Sequence, residues 1–180
     1  LVNLERHINN IKKFGINPVV AINHFVLDSK SEIKIISDFC KKLGIEVSEC
    51  THWANGGKGA SDLAKKVVKA CEKSKKNRFK FLYNEKNSLW NKIETIAKKI
   101  YKANTISADQ KVKDELIKFE KNGYGKLPVC IAKTQYSFSV DPKLKGAPSG
   151  HEIPIREVRL SSGAEFIVVV CGSIMTMPGL

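Results

Sequence analysis

Two short apolar runs, Pro18-Val19-Val20-Ala21-Ile22 and Ile45 to Cys50, flank a single helical pattern, and this arrangement constrains the fold more than any other feature. Between the runs, Ile33, Ile36, Phe39, Cys40 and Leu43 recur at the spacing that the inner side of a helix requires. Asp28, Ser29 or Ser31 can cap its start, and Gly44 ends it. Strand, helix and strand joined by short links form a parallel pair, because the helix carries the chain back to the end from which it started. The first run, apolar throughout, reads as a fully buried strand ending at Asn23. Leu4, Ile8, Ile11 and Phe14 mark a helix before it, stopped by Gly15, and Leu63 to Cys71 mark another after the second run. The predicted class is α/β, a parallel sheet with crossover helices. Ligands of such sheets collect at the carboxyl ends of the strands. Asn23-His24-Phe25 and Thr51-His52-Trp53 both fall there, and the two loops are predicted to open on one edge.

The second loop continues as Ala54-Asn55-Gly56-Gly57-Lys58-Gly59-Ala60-Ser61. Glycines at 56, 57 and 59 free the backbone of Cβ clashes, so that amides can approach a ligand closely. A helix beginning near Ser61 would turn unpaired N–H groups toward the loop, a natural seat for an anion. With the flat face of Trp53 and the imidazole of His52 beside it, the stretch suits a ligand with a planar ring and a negative tail. A second reading stays open, the start of a helix with a buried Trp. The pattern G-x-x-x-x-G-K-[ST] of a Walker phosphate loop occurs nowhere in the chain. Lys58 suits either a phosphate or solvent, and His24 and His52, each ahead of an aromatic residue, suit hydrogen-bonding support better than proton transfer.

A basic, solvated link from Lys73 to Arg78 divides the chain into two α/β segments, residues 1–75 with the ligand edge and residues 76–180. In the second, Leu89, Ile93, Ile96 and Ile100 mark a helix, and Trp90, on the adjoining stripe with Ala97 and Tyr101, is placed in the core. A helix from Ala108 to Lys121 uses Val112, Leu116 and Phe119 and stops at Gly123. Leu127 to Ala132 is a strand, and Lys133-Thr134-Gln135-Tyr136-Ser137 follows at its carboxyl end. Lys133 is there a candidate for charge stabilisation or for a salt bridge. Asp141 to Gly150 is an exposed loop. Ile153 to Leu160 and Phe166 to Cys171 are strands joined across Ser161-Ser162-Gly163-Ala164, which predicts an antiparallel, mixed β portion near the C-terminal end.

Composition narrows the function classes. The net charge is +13, yet of 31 basic residues only Arg6, Arg78, Arg156 and Arg159 are arginines. Arg is favoured for bidentate phosphate and base contacts, so scattered Lys argues against a nucleic-acid partner and for a small anionic ligand. No apolar run reaches membrane-spanning length, which excludes a membrane partner of the helical kind. Five cysteines without a C-x-x-C pair read as reduced, buried thiols of a cytosol-like compartment. Four histidines, none at i, i+4 spacing, give no metal signature. No Ser–His–Asp, Cys–His or close carboxylate pairing stands out, so catalytic residues stay unassigned. The opening at Leu1, without Met or signal peptide, reads as an excerpt.

Asn3-Leu4-Glu5-Arg6-His7-Ile8, Pro18-Val19-Val20-Ala21-Ile22-Asn23, the His52-Trp53-Ala54 glycine stretch, Leu127-Pro128-Val129-Cys130-Ile131-Ala132-Lys133-Thr134-Gln135-Tyr136-Ser137 and Met175-Thr176-Met177-Pro178-Gly179-Leu180 occur in that order. Together they resemble formate–tetrahydrofolate ligases, also called 10-formyltetrahydrofolate synthetases, over nearly the whole chain, as a later-middle segment of a longer polypeptide. The resemblance implies a doubly wound, P-loop-NTPase-like fold and a reaction in which ATP, with Mg²⁺, phosphorylates formate to formyl phosphate. N10 of tetrahydrofolate then attacks it to give 10-formyltetrahydrofolate, ADP and phosphate, with no bound prosthetic group. It further implies a homo-oligomer, cytoplasmic or else mitochondrial. The family's phosphate-binding loop and the basic residues that hold formyl phosphate belong N-terminal to this segment, so the segment alone is expected to be inactive without that missing N-terminal part. Phe25 and Trp53 match the pair that sandwiches the folate ring, and Gly56, Gly57 and Gly59 match the nucleotide side and are expected to face ATP. Where the family often has Pro, this chain has Val26, which alters the shape of the ring slot and not the stacking. The alternative is a non-catalytic folate- or nucleic-acid-binding module.

Overall fold

The computed structural model describes residues 1–73 and 79–173. The chain divides into two compact units, the first running to Lys80 and the second starting at Phe81. The centre of the basic link near residue 75 and the stretch Met175 to Leu180 lie outside the described residues.

The first unit runs α1 (Val2–Lys12), β1 (Val19–Asn23), α2 (Lys30–Lys42), β2 (Glu46–Cys50), α3 (His52–Asn55), a 3-10 turn (Gly56–Ala60) and α4 (Ser61–Lys73). β1 and β2 pair in parallel, from Val19 opposite Glu46 to Asn23 opposite Cys50. One face of the pair carries Val20 and Val47, which pack with Leu4, Ile36 and Leu43 around buried Ile8 and Cys40 of the α1–α2 layer and Ile45 just ahead of β2. The other face meets α4, where Ser48 Oγ donates to Asp62 Oδ2 at 2.5 Å and Lys66 Nζ donates to the Val47 carbonyl at 2.6 Å. Of the three possible caps of α2, Ser29 serves. Its hydroxyl accepts from the Glu32 N–H while the Glu32 carboxylate accepts from the Ser29 N–H, a reciprocal box that satisfies two otherwise orphaned donors.

β1 is not the fully buried strand that its apolar run predicts. Ile22 is buried, but Ala21 and Asn23 are exposed, because among the described residues β1 has a strand neighbour on one side only. Apolar content alone does not report how many neighbours a strand will have.

The second unit runs α5 (Leu89–Ile96), a π-helical turn (Ala97–Tyr101), β3 (Thr105–Ala108), α6 (Gln110–Lys121), β4 (Val129–Ala132), β5 (Glu152–Ile155), β6 (Glu157–Ser161) and β7 (Phe166–Val170). Its strands form two small sheets, β3–β5 and β4–β7–β6, the second of them mixed, so that among the described residues the parallel pairing is spread over three small sheets. β3 pairs with β5, and β4 with β7, in parallel; β6 and β7 are antiparallel, as the sequence predicts. The predicted strand Ile153 to Leu160 breaks at Arg156, whose N–H crosses to the Val170 carbonyl at 2.8 Å and sends the two halves to different sheets. β3 escaped the sequence reading because Thr105-Ile106-Ser107-Ala108 holds a single large apolar residue. α5 and α6 bury Leu89, Ile93, Ala97, Val112, Leu116 and Phe119 against these strands, and half-buried Trp90 packs on the same core.

Lys92, although charged, lies inside the second unit. Its side chain is fully buried, and Nζ donates to the carbonyls of Gly125 at 2.7 Å and Leu127 at 3.0 Å. Burial pulls its pKa down, opposed by the carboxylates of Glu85 and Glu120. The folded chain therefore binds this proton less tightly than the unfolded one, and stability rises with pH from the lowered value up to the ordinary lysine range. Lys92→Met strips two part-buried carbonyls of their donor and is expected to destabilise the unit by about 1–3 kcal/mol. A urea titration of the variant checks this; an unchanged midpoint would show that the carbonyls find other donors.

Candidate functional site

Because Asn23 pairs with Cys50, β1 and β2 end level and their loops leave from the same edge. His24 adds one more rung, its N–H donating to the Cys50 carbonyl at 3.0 Å. The chain then turns sharply: the Phe25 N–H donates to Asp28 Oδ2 at 2.8 Å, and the Asp28 N–H returns to the Phe25 carbonyl at 3.0 Å. This turn holds Phe25 out at 48% exposure, with Val26 and Leu27 beyond it. On the other arm α3 is a single turn, closed by the Ala54 and Asn55 N–H groups on the Thr51 carbonyl and by Asn55 Nδ2 on Thr51 Oγ1 at 3.0 Å. Trp53 stands on it at 69% exposure. A helix of one turn has no inner side to hide an indole, and the buried-Trp reading of this stretch is overturned.

The glycine stretch is likewise not an open loop. Gly56–Ala60 is a 3-10 turn that runs straight into α4, and the Ser61 N–H already donates to the Lys58 carbonyl. The amide at that position is therefore not free for an anion. Gly56 has φ +55° and ψ −146°, a conformation open essentially to glycine alone, and the space beside both Gly56 and Gly57 is open. Gly59 is constrained differently: a Cβ there would lie 2.4 Å from Thr51 C and 2.5 Å from His52 N. Its carbonyl accepts the Thr51 N–H at 3.1 Å, so the 3-10 turn lies directly on the chain that leaves β2. Lys58 and His52 are exposed.

His24 was assigned only a supporting role in sequence, and the structure supplies its partner. Nδ1 lies 2.7 Å from Glu49 Oε1, with the two side chains 28% and 45% exposed. The signal was in the register, since one strand ends a residue before His24 and the other a residue after Glu49. A cavity of about 510 Å³ lies at the amino ends of the strands, against Pro18, Val19, Ile45 and Val67.

At the corresponding end of β4, Lys133 forms no salt bridge among the described residues. Its Nζ donates to the carbonyls of Thr134, at 2.8 Å, and of Ser137, and lies 5.0 Å from the Tyr101 ring centroid. Burial lowers its pKa, and burial likewise pushes the Tyr101 phenol and the Cys171 thiol up to about 12. Lys133 thus pins the loop that follows β4. Of the thiols expected to be buried, Cys40, Cys50 and Cys171 are, whereas Cys71 and Cys130 are exposed; all are free. Among the described residues, no cluster of His, Cys, Asp and Glu is placed to hold a metal, and no helix is long and apolar enough to cross a membrane.

The first unit is thus a parallel α/β unit that presents one exposed aromatic ring from each of two level strand ends. The family model described as formate–tetrahydrofolate ligase matches residues 1–180, and the chain belongs to that family. The formate–tetrahydrofolate ligase of Pelagibacter ubique is 59% identical over 180 residues, covering all of this chain and 32% of the relative. Those of Ruegeria pomeroyi and Granulibacter bethesdensis are 54% and 53% identical over 178 residues, 99% of this chain and 32% and 31% of theirs. The chain spans about a third of the length of these curated relatives.

The glycines give a paired prediction. Gly59→Ala forces Cβ into backbone and is expected to cost about 3 kcal/mol, the upper end of overpacking penalties. Gly57→Ala, with open space and an ordinary φ, should stay within about 0.5 kcal/mol of the parent. Chemical denaturation of both variants checks the contrast, and equal effects would remove the packing role of Gly59.

Proposed function

We propose that this chain is the folate-holding segment of an ATP-dependent ligase that joins formate to tetrahydrofolate, giving 10-formyltetrahydrofolate, ADP and phosphate. The observation that carries this reading is the exposure of Phe25 and Trp53 at level strand ends, where burial would otherwise be favoured. In the proposal the two rings take the pterin between them. Gly56 and Gly57, open at Cα, border ATP, and Gly59 contributes by seating the 3-10 turn on the chain after β2. Formate oxygen attacks the γ-phosphorus of Mg²⁺-bound ATP and ADP leaves; N10 then attacks the formyl carbon, phosphate leaves with the C–O electron pair, and N10 loses its proton. The residues of this chain hold the ring during the second step.

Phosphoryl transfer rests on positioning and on neutralising charge, and the chain has no Walker phosphate loop to do either. The phosphate-handling groups are therefore placed in an N-terminal part of the enzyme, with this chain as a later-middle segment of a doubly wound, P-loop-NTPase-like, homo-oligomeric protein of the cytoplasm or mitochondrion. Incubated alone with ATP, Mg²⁺, formate and tetrahydrofolate, the 180-residue chain is expected to form no 10-formyltetrahydrofolate. Turnover comparable to that of a full-length ligase would overturn this.

In the full-length protein, Trp53→Ala should weaken tetrahydrofolate binding roughly ten- to a hundredfold, since stacking on one aromatic is worth about 1–3 kcal/mol. Trp90→Phe, altering a residue packed on the second unit's core, should lower stability and leave the affinity nearly unchanged. Calorimetric titration of both separates the roles, and normal folate binding by a folded Trp53→Ala variant would end the sandwich proposal.

A further inference from the structure

Resting on that reading, we propose that the close contact of the His24 and Glu49 side chains is a brace that sets the Phe25 arm against the Trp53 arm, making His24 a positioning residue for the tetrahydrofolate ring. Each arm is internally fixed. The Phe25 turn is locked by the Asp28 carboxylate and main chain, and the Trp53 turn by Thr51, which is itself tied to Gly59. What relates one arm to the other is the junction at the strand ends, and His24 occupies it. It directly precedes Phe25, and it reaches β2 twice, through its N–H to the Cys50 carbonyl and through its ring to the Glu49 carboxylate. Those two β2 residues are the last two before Thr51, where the other arm begins.

The side-chain contact is the adjustable one of the two. Glu49 Oε1 lies 2.7 Å from Nδ1 but away from the direction in which the ring would donate a hydrogen bond, while Nδ1 itself is shielded from water. Between the carboxylate and a protonated ring, the attraction at this spacing is mainly one of charge, since it needs no aligned N–H. A contact held by charge and sheltered on one side fixes the ring's orientation without demanding one exact hydrogen-bond geometry. A cationic replacement at position 24 can then serve, whereas a neutral one cannot.

The experiment measures tetrahydrofolate affinity in the full-length protein, well below its melting temperature, for His24→Ala, His24→Arg, Glu49→Ala, Glu49→Gln and the double alanine variant. Each loss of the pair is expected to weaken folate binding about fivefold, in the range of a partly exposed charge pair. The double variant should be no weaker than either single, as coupled residues require. His24→Arg should restore affinity to within about twofold, because its always-charged guanidinium can meet Glu49. A residue acting only on stability would lower the melting temperature and leave the affinity of the folded protein alone. Additive losses, unchanged affinity in Glu49→Gln, or failure of His24→Arg to rescue would each overturn the brace. If these variants bind normally while Trp53→Ala binds weakly, the brace alone fails. If Trp53→Ala also binds normally, the folate reading on which it rests fails with it.

Discussion

The parallel register of β1 and β2 is the constraint on which the rest of the first unit depends. Five ladder positions, closing at Asn23 beside Cys50, bring the two strands to the same height before either chain turns away. A slip by one residue would move Val20 and Val47 from the α1–α2 layer to the opposite face and separate Ser48 from Asp62. It would also part His24 from the Cys50 carbonyl and from Glu49. The register is therefore held by burial on both faces, and the positions of Phe25 and Trp53 follow from it.

Beyond the strands, two short devices convert a level edge into a pair of outward-facing rings. One is the Asp28 carboxylate on the Phe25 N–H, which closes a turn too tight to bury the ring. The other is the close approach of Gly59 to Thr51, which lets a 3-10 turn fold back over the strand end and continue into α4. The sequence of events along the chain is economical in atoms: Thr51 alone receives or donates hydrogen bonds to Gly59, Ala54 and Asn55. An exposed Trp and Phe carry a hydration cost, which a stacked ligand would relieve.

Two lysines of the second unit are drawn inside. Lys92 and Lys133 donate to carbonyls of Gly125, Leu127, Thr134 and Ser137, so Lys92 ties the turn before β4 to α5 and Lys133 holds the loop that follows β4. A large positive balance in the composition is thus divided between solvent and structural pins, and a charge count alone reports neither share.

The order of helices and strands in the first unit was legible in sequence, because Ile33, Ile36, Phe39, Cys40 and Leu43 can share one side only of a helix, and Gly15 and Gly44, both at positive φ, stop the chain where the periodicity ends. From that order the parallel pairing and the common edge of Phe25 and Trp53 also followed, by the geometry of a helical crossover. The family was legible in the ordered motifs. What tertiary structure decided was everything that depends on neighbours. Trp53 is exposed because the helix carrying it is one turn long, and the glycine stretch is coiled because Gly59 admits the backbone of Thr51. The run from Ile153 to Leu160 splits because the Arg156 N–H finds the Val170 carbonyl. Glu49 meets His24 because strands far apart along the chain end side by side. Periodicity encodes which side of an element is apolar; it does not encode what will stand against that side, and contacts between distant residues are set only when the chain has closed.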